Sequence, residues 1–287
     1  MAALKEIRAR IASVGGTLKI TSAMKMVASA KLHRVQATSS ALSEYERRLS
    51  AITTALCTSP DLKIESPLML PHDERERAFV VTFSSDGALC GAFNANAIRA
   101  LARQVAALRA EGFAAVTVFP VGEKIAQAAV KAGYDVDDRF RALASHSSYE
   151  EAAAFADFLL EEYIAGKADR VVLIYNRFRS MGRQIPVQEN FLPMVVPTSD
   201  VQPDTASEYI CEPEAGALVA ALLPYALRTR LYSVLLDSRT AEHAARTVAM
   251  QTATDNATEL LDELSLTYNK RRQQAITDEL ADITPND

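Results

Sequence analysis

Counted in sevens from Ile7, the start of the chain keeps an apolar or small side chain at one position through Val14, Thr21, Ala28, Val35, Leu42, Leu49 and Leu56. Leu4, Ile11 and Leu18 fill a companion position at first, and Tyr45 and Ile52 take it over later. The stripe therefore drifts around the helix as a left-handed supercoil with local adjustment requires. Proline is absent before Pro60 and between Pro224 and Pro285, and glycine is absent after Gly216. This pattern predicts a very long helix at each end of the chain.

The C-terminal helix has an apolar first half, Leu218, Leu222, Tyr225, Tyr232, Leu235 and Leu236, and a second stripe of Leu260, Leu261, Leu264, Leu266 and Ile276. Between them, Thr240 to Thr258 is dominated by Ala and Thr, which let another backbone come close while burying little. At about 1.5 Å per residue the two helices make rods of roughly 80 and 100 Å. An insertion between them lets the rods run antiparallel, with both termini at one tip and the longer helix overhanging.

The middle follows another rule. FVVTFSS from Phe79 reads as a buried strand, Asn94 or Asn96 as the cap of a helix to about Arg109, and AAVTVFP as the next strand after Gly112. Further helices are predicted from Gly122 to Lys131, stopped by Gly133, and from about Tyr149 to Ile164. RVVLIYNRF and QIPVQENFLP form a strand pair turning at Ser180, Met181 and Gly182. The fold class is α/β: a long antiparallel coiled coil of terminal helices with an inserted Rossmann-like α/β domain, its sheet mostly parallel with one antiparallel edge and helices on both faces. The predicted organisation is a shaft of 1–57 with 210–287, a central domain of 76–197, and linkers at 58–75 and 198–209.

At 49% apolar and 23% charged residues the chain has the composition of a folded protein. No apolar run approaches the roughly 18 residues of a membrane span, and the basic start leads into no signal-like core. Cys57, Cys90 and Cys211 are odd in number with no CxxC, which predicts free thiols in a reducing compartment. The net charge of -5 conceals a basic start, where Lys5, Arg8, Arg10, Lys19, Lys25, Lys31 and Arg34 face the single acid Glu6. That helix either meets an acidic neighbour or presents a solvated face. A pI of 5.5 and the lack of a recognised module argue against nucleic acid.

SSDGALCGAF, from Ser84 to Phe93, stands where a phosphate-cradling loop would stand, between a strand and a helix. It has neither GxGxxG nor GxxxxGK[ST] and no lysine, so a tight turn is the better reading. Cys90 reads as a packed thiol, and His33, His72, His146 and His243 lack metal-ligand spacing. No catalytic, cofactor or metal site is predicted.

KITSAMKMVASAKL, from Lys19, and AEHAARTVAMQTATDNATELLDELSLTYNKRRQQAIT, from Ala241 to Thr277, closely resemble the terminal helices of the gamma subunit of the F-type ATP synthase, bacterial type. SSDGALCGAF and the YICEP stretch from Tyr209 follow in the same order and spacing, so the resemblance spans the chain. It implies a non-catalytic rotor shaft without a cofactor, standing inside a hexamer of alternating alpha and beta subunits. The α/β domain would form a foot with the epsilon subunit on the c-ring, peripheral on the cytoplasmic face of the bacterial inner membrane. By the same resemblance Met24 and Lys25 face an acidic loop of a beta subunit, with core packing as the alternative for Met24. Arg246, Gln273 and Thr277 are further rotor-stator contacts, or else an ordinary solvated face. Tyr209 and Glu212 are foot contacts near epsilon and the c-ring, or turn-stabilising residues. The chain departs from the family pattern at Gly87, where an arginine usually follows the aspartate, and at Gly15 and Gly16, two glycines that each cost a helix about 1 kcal/mol relative to alanine. The rival reading is a static coiled-coil scaffold with a phosphate-ligand-binding α/β domain.

Overall fold

The computed structural model describes residues 2–58, 66–72, 74–146, 148–195 and 215–283. The chain forms two compact units, one of Met1–Ala30 with Arg246–Asp287 and one of Lys31–Ala245.

In the larger unit, strands β1 (Arg77–Phe83), β2 (Ala115–Val121), β3 (Asp135–Val136), β4 (Arg170–Ser180) and β5 (Arg183–Leu192) form one sheet. Their order is β3-β2-β1-β4-β5. The first four are mutually parallel and β5 runs antiparallel to β4, as the sequence pattern predicts. β1 is buried at every residue after Arg77, because both faces of a parallel sheet are covered.

One face carries Ala78, Val80, Val118, Val172 and Ile174 beneath helices α2 (Phe93–Ala110) and α3 (Glu123–Lys131), which contribute Leu101, Val105, Leu108 and Ile125. The opposite face carries Phe79, Val81, Phe83, Phe119, Leu173 and Tyr175. It is covered by α5 (Tyr149–Ile164), by Leu56 of α1 (Ala2–Thr58), and by Val219, Leu223, Leu227, Leu231, Val234 and Leu235 of α6 (Ala215–Ile283). The first half of α6 is thus a core helix of the α/β unit, with a stripe at near four-residue spacing docked on the sheet. A helix-to-helix seam alone does not explain it. By length and composition α6 is apolar enough to cross a membrane, with a window of mean hydropathy 1.2, which corrects the expectation that no segment reaches that level. Here its apolar side chains from Val219 to Leu235 are spent on the sheet. The helix also runs through Pro224, which has no N–H to donate back to Ala220.

Local signals hold where they rest on real caps. Ser148 accepts a hydrogen bond from the Glu151 amide and starts α5, with Glu150 and Glu151 in its first turn. Neither asparagine caps α2: its cap is Ala92, Asn94 reaches back into the preceding loop, and Asn96 accepts from Arg99. The short β3 and the single turn α4 (Leu143–His146) carried no periodic signal. Of the first linker, Leu68 is buried in the core, its carbonyl accepting from Met194 N at 2.7 Å.

In the smaller unit α1 and α6 run antiparallel. Lys25 Nζ donates to Gln251 Oε1, Thr254 Oγ1 to Thr21 Oγ1, and Arg8 Nη2 to Tyr268 OH. Each step toward the start of α1 is matched by one toward the end of α6. Thr21 and Ala28 of α1 and Met250 and Ala257 of α6 are buried, and Ile7 and Val14 are half-buried. Every heptad position from Ile7 to Leu56 is at least half-buried. The C-terminal stripe behaves differently: Leu261 and Leu264 are half-buried, but Leu260, Leu266 and Ile276 are exposed.

Candidate functional site

The loop after β1 is closed by its own chain. Ser84 Oγ accepts from Ile125 N at 3.0 Å, Asp86 Oδ1 from Glu123 N at 3.0 Å, and the Ser85 carbonyl from Lys124 N at 3.2 Å. These are the donors that the N-terminus of α3 would offer an anion, and Asp86 already supplies negative charge at the positive end of the helix. Gly122, the cap of α3 at φ 109°, lets Ser84 approach so closely that a Cβ there would sit 2.4 Å from the Ser84 carbonyl oxygen. Asn94 Oδ1 accepts from Ser85 N at 3.1 Å, while Asn94 Nδ2 donates to Ser85 Oγ at 2.8 Å. Buried Cys90 and Phe93 pack on Ala241 and Ala245, so the small residues of α6 admit this loop. The tight-turn reading of SSDGALCGAF therefore holds, and Asp86 has a cap to make without an arginine beside it.

The residues named as rotor contacts are strung along two helices. Met24 and Lys25 are half-buried on α1, and Lys25 is tied to Gln251 at 2.9 Å. On α6, Arg246 is half-buried, and Gln273 and Thr277 are exposed, the Thr277 hydroxyl donating to the Gln273 carbonyl. From Arg246 to Thr277 the helix rises by about 46 Å, so these side chains are spread along α6 and do not converge on one point. Tyr209, Glu212 and Cys211 lie outside the described residues.

The sequence reading missed an ionic cluster in the larger unit. Arg230 of α6 donates from Nε and Nη2 to Glu189 of β5 at 2.7 and 2.5 Å, and from Nη1 to Glu46 of α1 at 2.6 Å. Nη2 also reaches Tyr175 OH of β4 at 3.2 Å, and Ser233 Oγ donates to the second Glu46 oxygen at 2.5 Å. Arg177 donates to Tyr175 OH at 2.7 Å, and Asp237 Oδ1 accepts from Phe178 N at 2.8 Å. Burial works against the Arg230 charge, yet its bonds to Glu189 and the nearby Glu46 hold it more firmly protonated than a free arginine. Burial likewise opposes ionisation of Glu189, and Arg230 overrides it, so the carboxyl titrates below its usual range. Asp237 goes the other way, because burial outweighs the Phe178 amide and Arg177. The signal was in the sequence: Arg230 is a charge set between Leu227 and Leu231 of a buried stripe.

Comparison with known proteins agrees along the whole chain. The ATP synthase family model matches residues 3–285. The ATP synthase gamma chain of Bacteroides thetaiotaomicron is 46% identical over 99% of this chain and 98% of its own, and that of Flavobacterium johnsoniae 39% identical over 99% and 97%. The rotor of the Euglena gracilis mitochondrial ATP synthase is similar at TM-score 0.63 and 19% identity, covering 96% of this chain and 99% of that one. The central stalk and c-ring structure of the Tetrahymena thermophila mitochondrial ATP synthase gives TM-score 0.56 and 22% identity over 82% and 99%. These distant structures speak for the fold, and the close full-length relatives for the family. The chain belongs to the ATP synthase gamma chain family.

Proposed function

We propose that this chain is the central rotor shaft of an F-type ATP synthase, coupling proton-driven rotation of a membrane ring to conformational change at the catalytic beta subunits. Residues 1–57 with 210–287 form the shaft inside a hexamer of alternating alpha and beta subunits. Residues 76–197 form the foot, with the epsilon subunit on the c-ring, and 58–75 and 198–209 are the linkers. The complex is peripheral to the membrane, on the cytoplasmic face of the bacterial inner membrane. The chain itself does no chemistry on the nucleotide.

The observation that carries this reading is the apolar surface of the smaller unit. A pair of helices has one seam, and Ile20, Met26 and Val27 of α1 and Leu260, Leu266 and Ile276 of α6 lie off it, Leu266 being 72% exposed. Large apolar side chains on several sides of a helix pair fit a protein sleeve that surrounds it. Met24, Lys25, Arg246, Gln273 and Thr277 are the rotor-stator contacts, and Tyr209 and Glu212 the foot contacts.

Shifting a beta subunit's state preference tenfold takes about 1.4 kcal/mol, whereas an exposed ion pair supplies roughly 0–1 kcal/mol. Torque therefore passes sterically along the helices, and single alanine replacements at Arg246, Gln273 or Thr277 weaken coupling only in part. Affinity purification of the tagged chain tests the assignment. Alpha and beta subunits are expected with it, at one copy of this chain per hexamer. Recovery of the chain without ATPase subunits would refute the rotor reading.

A further inference from the structure

Two cavities in the larger unit share one wall. A polar one of 510 Å³ is lined by Ser39, Ser43, Arg177 and Asp237 among others, and a second of 320 Å³ by Leu49, Thr53, Phe191 and Ala226; both are bounded by Glu46 and Arg230. Side-chain packing is therefore interrupted on either side of this pair, and at this level Glu46 of α1 reaches the sheet through the bonds of Arg230, beside the Tyr45–Tyr225 hydroxyl contact between α1 and α6. The path is continuous: Glu46 of α1 to Arg230 of α6, then Arg230 to Glu189 of β5 and Tyr175 of β4. The guanidinium suits the task, because one edge binds Glu189 with two parallel bonds while Nη1 turns to Glu46, a geometry that a lysine cannot reproduce.

We propose that Arg230 is a positioning residue that fixes α1 against the β4–β5 strand pair, so that torsion entering the sheet is shared by both long helices instead of being left to α6 alone. This rests on the rotor reading for its meaning, while the tie itself belongs to the chain. Ser233 completes it, holding the second oxygen of Glu46 and so the orientation of that carboxylate. An apolar residue in place of Arg230 would leave Glu46 without its cation and Glu189 with only the longer contact to Arg177 at 3.9 Å.

The test has two arms. In the full chain alone, hydrogen exchange followed by mass spectrometry is compared for wild type, Arg230→Met, Arg230→Lys, Glu46→Gln and the Arg230→Met/Glu46→Gln double variant. Arg230→Met is expected to speed exchange of α1 amides around Ser39 to Ser50 by about tenfold while α2 keeps its protection, and the double variant is expected to add little to it, since both changes open the same tie. Unchanged exchange in α1 overturns the proposal, and so does an acceleration spread evenly over the fold, which would mean general destabilisation. In the second arm the chain is assembled with its ATPase subunits, and the angular fluctuation of a bead on the α/β unit is recorded with the hexamer stalled. Arg230→Lys, which keeps the charge, is expected to widen the angular variance by about twofold. A variance equal to wild type overturns the proposal. Failure of the wild-type chain to assemble would refute the rotor reading and leave the exchange arm to decide on the tie.

Discussion

Gly122 carries the most exacting steric demand in the chain. It stands at φ 109° and ψ 149°, a backbone region used almost only by glycine, and an added Cβ would lie 2.4 Å from the Ser84 carbonyl oxygen, 2.7 Å from its Oγ and 2.9 Å from its carbonyl carbon. Forcing a side chain into that conformation costs about 1–3 kcal/mol, and the displacement of Ser84 about 1–3 kcal/mol more. Moving Ser84 also loosens its bond from Ile125 N, worth about 1 kcal/mol. Gly122→Ala should therefore destabilise the α/β unit by roughly 3–7 kcal/mol, which at about 2–4 °C per kcal/mol is a fall in Tm of roughly 6–28 °C. Gly133 is the control: its φ is +72°, but nothing lies within 4 Å of its missing Cβ. Gly133→Ala should cost only the conformational part, about 1–2 kcal/mol. Because the tightest contact, at 2.4 Å, and a second at 2.9 Å are with backbone atoms, trimming Ser84 to alanine should not rescue Gly122→Ala. Calorimetry of the purified variants decides: if Gly122→Ala lowers Tm no more than Gly133→Ala, the close approach of Ser84 to α3 is not what holds this loop.

The other consequences are spread over the molecule. Gly15→Ala and Gly16→Ala should each stabilise the helical unit by about 1 kcal/mol, since both positions are helical and open to space, and a rise in thermal stability of the α1–α6 pair would register it. Leu231→Ala, at a fully buried position between α6 and the sheet, should cost about 3–5 kcal/mol in urea unfolding; a cost under 1 kcal/mol would mean that α6 does not belong to the core. Asp237 has a raised pKa in the folded chain, so its favourable contribution holds below the ordinary carboxyl value of 3.8 and is lost as pH rises through the folded one. Asp237→Asn keeps an oxygen for the Phe178 amide, and should raise Tm at pH 7 relative to wild type while leaving it unchanged in acid.

Much of this architecture was legible in the residues. The sevenfold repeat from Ile7 to Leu56 marked the buried side of α1, because a long helix with one partner shows its seam in the sequence. The β strands other than the two-residue β3 were legible because a sheet covered on both faces needs unbroken apolar runs such as FVVTF. The double use of α6 was harder to see. A helical stripe records that a face is buried but not whether helix or sheet buries it, so Leu218, Leu222 and Leu235 read as seam residues, whereas they pack with the sheet's core beside Val219, Leu223 and Leu231, which the stripe left out. Leu260 and Leu266 misled in the opposite sense: they are apolar yet exposed, which fits contact with another chain. Asn94 carried a capping signal that the loop used instead. Of the contact residues, Met24, Lys25, Arg246, Gln273 and Thr277 came from the resemblance, since polar side chains along a solvated helix carry no period of their own. Arg230 and Glu46 could have been suspected as charges within apolar stretches, but their pairing across 184 positions is visible only in three dimensions.

The central claim is mechanical, and observing rotation tests it most directly. With the hexamer fixed to glass and a bead attached to the α/β unit of this chain, addition of ATP should drive stepwise rotation in one direction, stopping when ATP is removed. A correctly assembled complex that hydrolyses ATP at full rate while the bead shows only undirected motion would contradict the account.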